Sequence, residues 1–82
     1  MNDLKDTVEL MLSGDYKDRF KAEYYQLKNR HDKLHAMVVK LDAGTLDFEP
    51  SCPADLLKKQ LNAMTQYMYI LEVRAQMEEI EL

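Results

Sequence analysis

The segment RFKAEYYQLKNRHDKLHAMVVKL, residues 19–41, contains seven residues whose spacing alternates between four and three. That spacing is typical of the seam of a coiled coil, in which one side of a helix packs against a partner helix. We therefore predict a long amphipathic helix through this segment. Its seam residues are Phe20, Tyr24, Leu27, His31, Leu34, Val38 and Leu41.

The composition and the positions of helix breakers predict an all-α chain. Leu, Met, Ala, Lys, Glu and Gln are abundant, and the 82 residues include only two glycines and two prolines, a composition that favours helix. We expect a single helical domain over residues 1–82, with helices at about 3–13, 16–43 and 53–79 and a connecting loop at 44–52.

Residues that cap helices stand at the predicted boundaries. Asn2 or Asp3 can cap the first helix and Asp15 the second, because their side chains accept hydrogen bonds from free backbone N–H groups. Gly44 is suited to end the second helix, because glycine adopts the left-handed conformation common there.

The predicted third helix carries two apolar stripes rather than one. The first repeats the four-three spacing: Leu57, Leu61, Met64, Met68, Leu71 and Ala75. The second runs beside it: Leu56, Ala63, Tyr67, Ile70 and Met77. One partner helix covers only one stripe, so the second requires the first helix or another subunit. The prediction is a short N-terminal helix plus a long antiparallel helical hairpin that assembles as a homo-oligomer.

Several functional classes are disfavoured by what the chain lacks. A single cysteine excludes an internal disulfide, and no apolar run approaches the roughly 20 residues of a membrane span. The N-terminus lacks the pattern of a signal peptide, so we expect a soluble, intracellular protein. No phosphate loop, nucleophile elbow or metal-binding spacing is present, so we expect no enzyme, no cofactor and no metal.

His31 is the one histidine in the seam. The favoured interpretation is a polar residue that fixes the register through a hydrogen bond to a neighbour or to its symmetry mate. The alternative roles for His31 are a pH switch and a ligand contact. A metal site is less favoured, because Asp32 is expected to point away from the face that His31 shares with His35.

Positive charge is concentrated on the second helix. The chain has a net charge of -4, yet residues 16–40 carry seven Lys or Arg against three acids. A polar edge beside the seam contains Arg19, Glu23, Gln26, Arg30 and Lys33, and on the third helix Gln60, Tyr67 and Arg74 lie seven residues apart. In an antiparallel hairpin these two sets can face each other or line a groove between subunits.

This pattern is compatible with a site for a small anion. Arginines bind phosphate through two parallel hydrogen bonds and tyrosines stack on bases. We assign phosphate contacts to Arg19, Arg30 and Arg74, stacking to Tyr67, and hydrogen bonds to base or ribose to Gln26 and Gln60. The spacing alone favours interhelical ion pairs and a solvated surface, because most charged residues beside a seam have that role. A pI near 5.0 argues against general DNA binding.

Three stretches carry a resemblance to a known family. They are DYKDRFKAEYYQLKNRHDKLHAM, AGTLDFEPSCPADLL and LLKKQLNAMTQYMYILEVRAQMEEIEL, which together span nearly the whole chain. The chain resembles small phage-encoded helical proteins related to a protein of unassigned function from crAss-like phages. His31 stands where that resemblance favours an aromatic or aliphatic residue, so it implies no family-wide role for this histidine.

The resemblance implies a phage protein that acts in the cytoplasm of a bacterial host. Small oligomeric helical phage proteins of this general kind include sponges for the nucleotide messengers of bacterial immunity. By analogy, we expect an anti-defence protein that sequesters a cyclic oligonucleotide or an ADP-ribose-type signal without catalysis. The alternative is a structural or interaction module whose apolar helical face binds a host or phage protein.

Overall fold

The structure, a computed structural model, describes residues 4–82. Within that range all regular secondary structure is helical, and no strand is present. The elements are a 3-10 helix at Leu4–Thr7, α1 at Val8–Leu12, α2 at Tyr16–Ala43 and α3 at Ala54–Met77. This confirms the predicted all-α class with one short and two long helices. The predicted caps Asn2 and Asp3 lie outside the described residues.

The N-terminal segment is not the one continuous α-helix that was predicted. Where one helix was expected over about 3–13, a 3-10 turn precedes the short α1, and Thr7 Oγ1 donates a hydrogen bond to the Leu4 carbonyl at 2.6 Å. The segment ends at Ser13, whose backbone is extended and whose hydroxyl donates to Asp18 at 2.9 Å. The Ser13 side chain also accepts from the Asp15 N–H, so local hydrogen bonds stabilise the break before α2.

Both ends of α2 follow the predicted chemistry. Asp15 caps the N-terminus, with its carboxylate accepting from the Lys17 N–H at 2.9 Å. Gly44 ends the helix in the left-handed conformation, with φ of 74°. The next residue, Thr45, donates its N–H to the Lys40 carbonyl at 2.9 Å, which satisfies a carbonyl of the last turn.

The third helix is slightly shorter than predicted, because Pro53 precedes the first turn and the chain turns after Met77. Glu79 has φ of 57°, a left-handed conformation that reverses the chain direction. Ile80 then folds back over the helix, donates its N–H to the Ala75 carbonyl at 2.8 Å and is 4% exposed. The C-terminal end of α3 is therefore covered by its own following residues.

The two long helices form an antiparallel hairpin whose seams face each other. Three contacts set the direction: Tyr16 with Glu78 just after α3, Tyr24 with Glu72, and His31 with Thr65. The tightest part of the core lies at the open end of the hairpin, opposite the loop. It contains Phe20, Tyr24, Leu71, Ala75 and Ile80, with Tyr25, Leu27 and Met68 packed against it.

The N-terminal segment packs on α2 and makes no packing contact with α3 among the described residues. The helices therefore lie in a row with α2 in the middle. Gln26 of α2 donates to Thr7, which is 1% exposed, and so holds the segment in place. The second stripe of α3 stays uncovered in the isolated chain.

His31 bridges the two helices from its seam position. Its Nε2 lies 3.0 Å from Thr65 Oγ1 on α3, and Thr65 in turn donates to the Leu61 carbonyl. Asp32 was expected to point elsewhere, and this was wrong: its carboxylate lies 3.1 Å from His31 Nδ1. The predicted hydrogen bond from His31 to a neighbour is thus present, with one partner on each helix.

Candidate functional site

Two rows of side chains face each other along one flank of the hairpin. Tyr16 of α2 contacts Arg74 of α3, and Glu23 contacts Tyr67 at positions seven residues closer to the loop on each helix. Because seven residues are close to two helical turns, the same register places Arg30 opposite Gln60. We call these six residues the polar flank: Tyr16, Glu23, Arg30, Gln60, Tyr67 and Arg74.

A cluster at the open end of the hairpin fixes Arg74. Its Nη2 donates to the Tyr16 hydroxyl at 2.8 Å and its Nε donates to Glu78 at 3.2 Å. The Tyr16 hydroxyl donates in turn to Glu78 at 2.8 Å. The guanidinium also stacks over the Phe20 ring, 5.0 Å from its centroid. Arg74 thus has a structural role in this chain, and a phosphate would compete with Glu78 for its donors.

The middle of the polar flank is occupied by Tyr67 and Glu23. The Tyr67 hydroxyl donates to the Glu23 carboxylate across the helix interface. Tyr67 remains 43% exposed, and an exposed tyrosine can stack on a ligand. A carboxylate held at this place can accept hydrogen bonds from sugar hydroxyls, as acidic residues do in dinucleotide sites.

The end of the polar flank nearest the loop contains Arg30 and Gln60. Both side chains are exposed, and neither makes an ion pair or hydrogen bond within residues 4–82. Lys33 lies one turn further along α2 and is also exposed. All five donors of the Arg30 guanidinium are therefore free to bind an anion.

Arg19 and Gln26 lie towards the N-terminal segment rather than on the polar flank. Arg19 Nη1 donates to the Ser13 carbonyl at 3.1 Å, and Gln26 Nε2 lies 3.0 Å from Thr7 Oγ1 and 3.5 Å from Met11 Sδ. Of the six candidate ligand-binding residues, Tyr67 and Arg74 contact α2 along this flank, and helical register puts Arg30 and Gln60 on the same side. Arg19 and Gln26 instead contact the N-terminal segment.

Tyr16 and Glu78 contact Arg74, and Glu23 contacts Tyr67, although none of these three was among the candidate site residues. A signal for Tyr16 and Glu23 exists in the sequence: Tyr16, Glu23 and Arg30 lie seven residues apart, as Gln60, Tyr67 and Arg74 do on α3. Two rows with the same spacing on antiparallel helices can be matched residue by residue once the register between the two helices is known. The register itself depends on the loop and on core packing.

The electrostatics of the cluster at the open end follow from its hydrogen bonds. The Tyr16 hydroxyl, and then Arg74, stabilise the charged form of Glu78 and lower the pKa of that carboxyl. Glu78 conversely raises the pKa of Tyr16 and that of Arg74. On the other flank, burial and then the hydrogen bond to Glu72 raise the pKa of Tyr24. At neutral pH Glu78 is therefore ionised, and Tyr16 and Tyr24 are neutral.

Acidification should weaken the open end of the hairpin. The folded pKa of Glu78 lies below its ordinary value of 4.5, so its stabilising effect is present above that pH and is lost as the pH falls through the folded pKa. We expect the thermal midpoint to fall as the pH is lowered from about 5 to about 3, and Glu78→Gln to show a smaller fall. Circular dichroism melts measure both.

The matched control for this pH series is Glu49→Gln, which neutralises an exposed carboxylate in the loop. It should retain the full pH dependence of the unmodified chain. An identical pH dependence in the Glu78→Gln variant and the unmodified chain would contradict the role assigned to Glu78.

Two further features of residues 4–82 bear on the chemistry. No group of three or more His, Cys, Asp or Glu side chains in this range is arranged to hold a metal ion. No helix in the same range is long and apolar enough to cross a membrane. What the polar flank offers is hydrogen-bond donors, acceptors and an aromatic face.

Comparison with known proteins gives one match. The model of the Sequestin family matches residues 14–77, which is well over half of the chain and includes α2, the loop and all of α3. No curated protein matches the chain, and no solved structure matches it. The matched range contains the entire polar flank and leaves out the 3-10 helix and α1.

Proposed function

The chain belongs to the Sequestin family, and we propose that it is a non-catalytic sponge for a small anionic nucleotide signal. The family name denotes a sequestering protein, which supports a binding role. The ligand class is inferred from the polar flank: a cyclic oligonucleotide or an ADP-ribose derivative offers phosphates, sugar hydroxyls and a base, and the flank offers a partner for each. Enclosing such a ligand requires affinity and no reaction.

The observation that carries this proposal is Arg30. It is an exposed arginine with no internal partner among the described residues, and it lies in register with Gln60 and about two turns from Tyr67. A guanidinium free of internal contacts gains a partner on binding phosphate without first losing one. We assign to Arg30 the phosphate contact, to Gln60 and Glu23 hydrogen bonds to base and ribose, and to Tyr67 stacking.

In this proposal Arg74 and Arg19 lie at the periphery of the ligand site. Gln60 and Arg74 are 14 residues apart on α3, which is about 21 Å along the helix. A small nucleotide bound at Gln60 and Tyr67 therefore reaches Arg74 only if it extends towards the open end, where Glu78 holds that guanidinium. Arg19 and Gln26 take part only if the N-terminal segment shifts.

The biological setting follows from the same proposal. A sponge for an immune nucleotide would act as a phage anti-defence protein in the cytoplasm of the bacterial host. We propose that it acts as a homo-oligomer, because the flank of one chain is open to solvent and the second stripe of α3 is uncovered.

Thermal stability with added nucleotides tests the proposal. A ligand that binds only the folded state stabilises it by about 2.7 kcal/mol at 100 times its dissociation constant. For a chain of this size that corresponds to a rise of roughly 10 to 20 °C in the melting midpoint. We expect this rise with at least one member of a panel of cyclic dinucleotides, cyclic trinucleotides, ADP-ribose and cyclic ADP-ribose.

Adenosine, which lacks phosphate, serves as the control in this panel and should leave the midpoint unchanged. Equal melting midpoints with every nucleotide and with buffer would contradict the proposal that the protein is a nucleotide sponge. Native mass spectrometry of the protein as purified would reveal a retained nucleotide directly.

A second function is supported by the uncovered apolar side chains of α3. Leu56, Ile70 and Met77 are 54%, 54% and 79% exposed, and exposed apolar patches mark interaction surfaces. A structural or interaction module would use this face to bind a host or phage protein. It predicts a co-purifying protein together with unchanged midpoints across the nucleotide panel.

A further inference from the structure

We propose that a second copy of the chain packs antiparallel on the second stripe of α3 and forms one wall of the nucleotide site. This inference rests on the proposed function for the identity of the ligand, and on the surface of α3 for the identity of the partner. Four members of the stripe lie seven residues apart and are exposed: Leu56, Ala63, Ile70 and Met77. Seven-residue spacing is that of one seam position in a coiled coil.

The sizes of these four side chains suit antiparallel pairing with an identical helix. When two copies of α3 cross between Ala63 and Ile70, each Ala63 lies opposite the partner's Ile70, and each Leu56 lies opposite the partner's Met77. A small residue facing a large one is how packed helices interdigitate. Parallel pairing would instead set Ala63 against Ala63 and leave a gap at the centre of the interface.

The charges at the two ends of the stripe support the same direction. Lys58 and Lys59 follow Leu56 and outnumber the single acid Asp55 at this end, whereas Glu78, Glu79 and Glu81 follow Met77. Antiparallel pairing brings the basic end of one copy to the acidic end of the other and also opposes the helix dipoles. Arg74, the residue opposite Lys59 in this arrangement, is already paired with Glu78.

The second copy would turn the polar flank from an open surface into a cleft. Gln60, Tyr67 and Arg74 are each four residues after a stripe residue, so they border the stripe on the side towards α2. A helix seated on the stripe therefore faces α2 across this row. Gln60, Tyr67 and Arg74 form the floor of this cleft. One wall is α2, and the other wall is α3 of the second copy. The pairing has two-fold symmetry, so each chain contributes one cleft.

Cysteine cross-linking tests the direction and the centre of the interface. In a Cys52→Ser background, Gln66→Cys lies beside the two-fold axis and should give a disulfide-linked dimer on mild oxidation. The matched variant Lys59→Cys lies on the edge of the same stripe, and in antiparallel pairing the two copies of residue 59 are about 22 Å apart along the helices. It should stay monomeric on a non-reducing gel.

Cross-linking of both variants would indicate parallel pairing, and cross-linking of neither would overturn the interface. The background change is mild because Cys52 is exposed in the loop.

The oligomeric state separates this inference from the proposed function. Multi-angle light scattering should give twice the chain mass of 9.7 kDa, and Ile70→Glu should weaken the dimer by at least about tenfold because it places a charge in the apolar seam. Tyr69→Glu, on the same helix but away from the stripe and 66% exposed, should remain dimeric. A monomeric unmodified chain at all concentrations would overturn the inference.

Nucleotide-binding measurements on the dimer and on the monomeric variant separate the interface from the proposed function. A monomeric Ile70→Glu variant that binds the nucleotide as tightly as the unmodified chain would show that the second copy forms no wall of the site, while leaving the sponge intact. An antiparallel dimer that binds no nucleotide would overturn the sponge and leave the interface standing.

Discussion

Leu71→Ala should lower the free energy of unfolding by about 2 to 5 kcal/mol, the range measured when a buried leucine is truncated to alanine. Leu71 is 0% exposed and lies in the core cluster with Phe20 and Tyr24 of α2. Truncation leaves a cavity at the place where the two long helices are most tightly packed. In a small domain this loss is a large share of the total stability. Urea titration followed by circular dichroism measures it.

The matched control is Leu12→Ala, the same chemical change at a side chain that is 76% exposed. It should change the free energy of unfolding by less than about 0.5 kcal/mol. Comparable losses in the two variants would mean that the core is not centred on Leu71.

Arg30→Ala should weaken nucleotide binding by roughly ten- to a hundredfold, because a hydrogen-bonded contact to a charged group contributes about 1.5 to 3 kcal/mol. The variant should leave the melting midpoint without ligand unchanged, since Arg30 makes no internal contact among the described residues. Calorimetric titration with the nucleotide that gives the largest thermal shift measures the affinity.

Lys21→Ala is the control for this substitution. It removes one positive charge from the same helix, on the opposite side from Arg30, and should bind the ligand as the unmodified chain does. Arg74→Ala provides a contrast, because it also breaks the contacts to Tyr16 and Glu78 and should lower stability without ligand. Unchanged affinity in Arg30→Ala would remove Arg30 from the site.

Much of the fold could be predicted from spacing and end chemistry. The four-three spacing of the two seams determines which sides of the long helices meet, and Asp15 and Gly44 end α2 where their backbone chemistry requires. The N-terminal segment was harder to predict, because its short helix depends on local hydrogen bonds of Thr7 and Ser13. Such bonds compete with regular helix and leave no periodic signal.

The candidate site could be predicted only in part. Seven-residue spacing on α3 selected Gln60, Tyr67 and Arg74, and these three do share a flank. The same reasoning grouped Arg19 and Gln26 with them, although both contact the N-terminal segment. Spacing along one helix defines a side of that helix, but which neighbour occupies that side depends on tertiary packing. Ala22, which is 2% exposed and outside the seam, indicates that α2 has a second packed side.

The common seven-residue step of the two helices restricts how the length of this chain can vary during evolution. One residue inserted within α2 rotates everything beyond it by about 100°, which would move Arg30 away from Gln60 and His31 away from Thr65 at once. Seven inserted residues would preserve the faces only if α3 gained seven at the matching level. The loop between Gly44 and Pro53 carries no such restriction. We therefore expect related chains to differ in length mainly in this loop, while the distances along α2 and α3 stay constant.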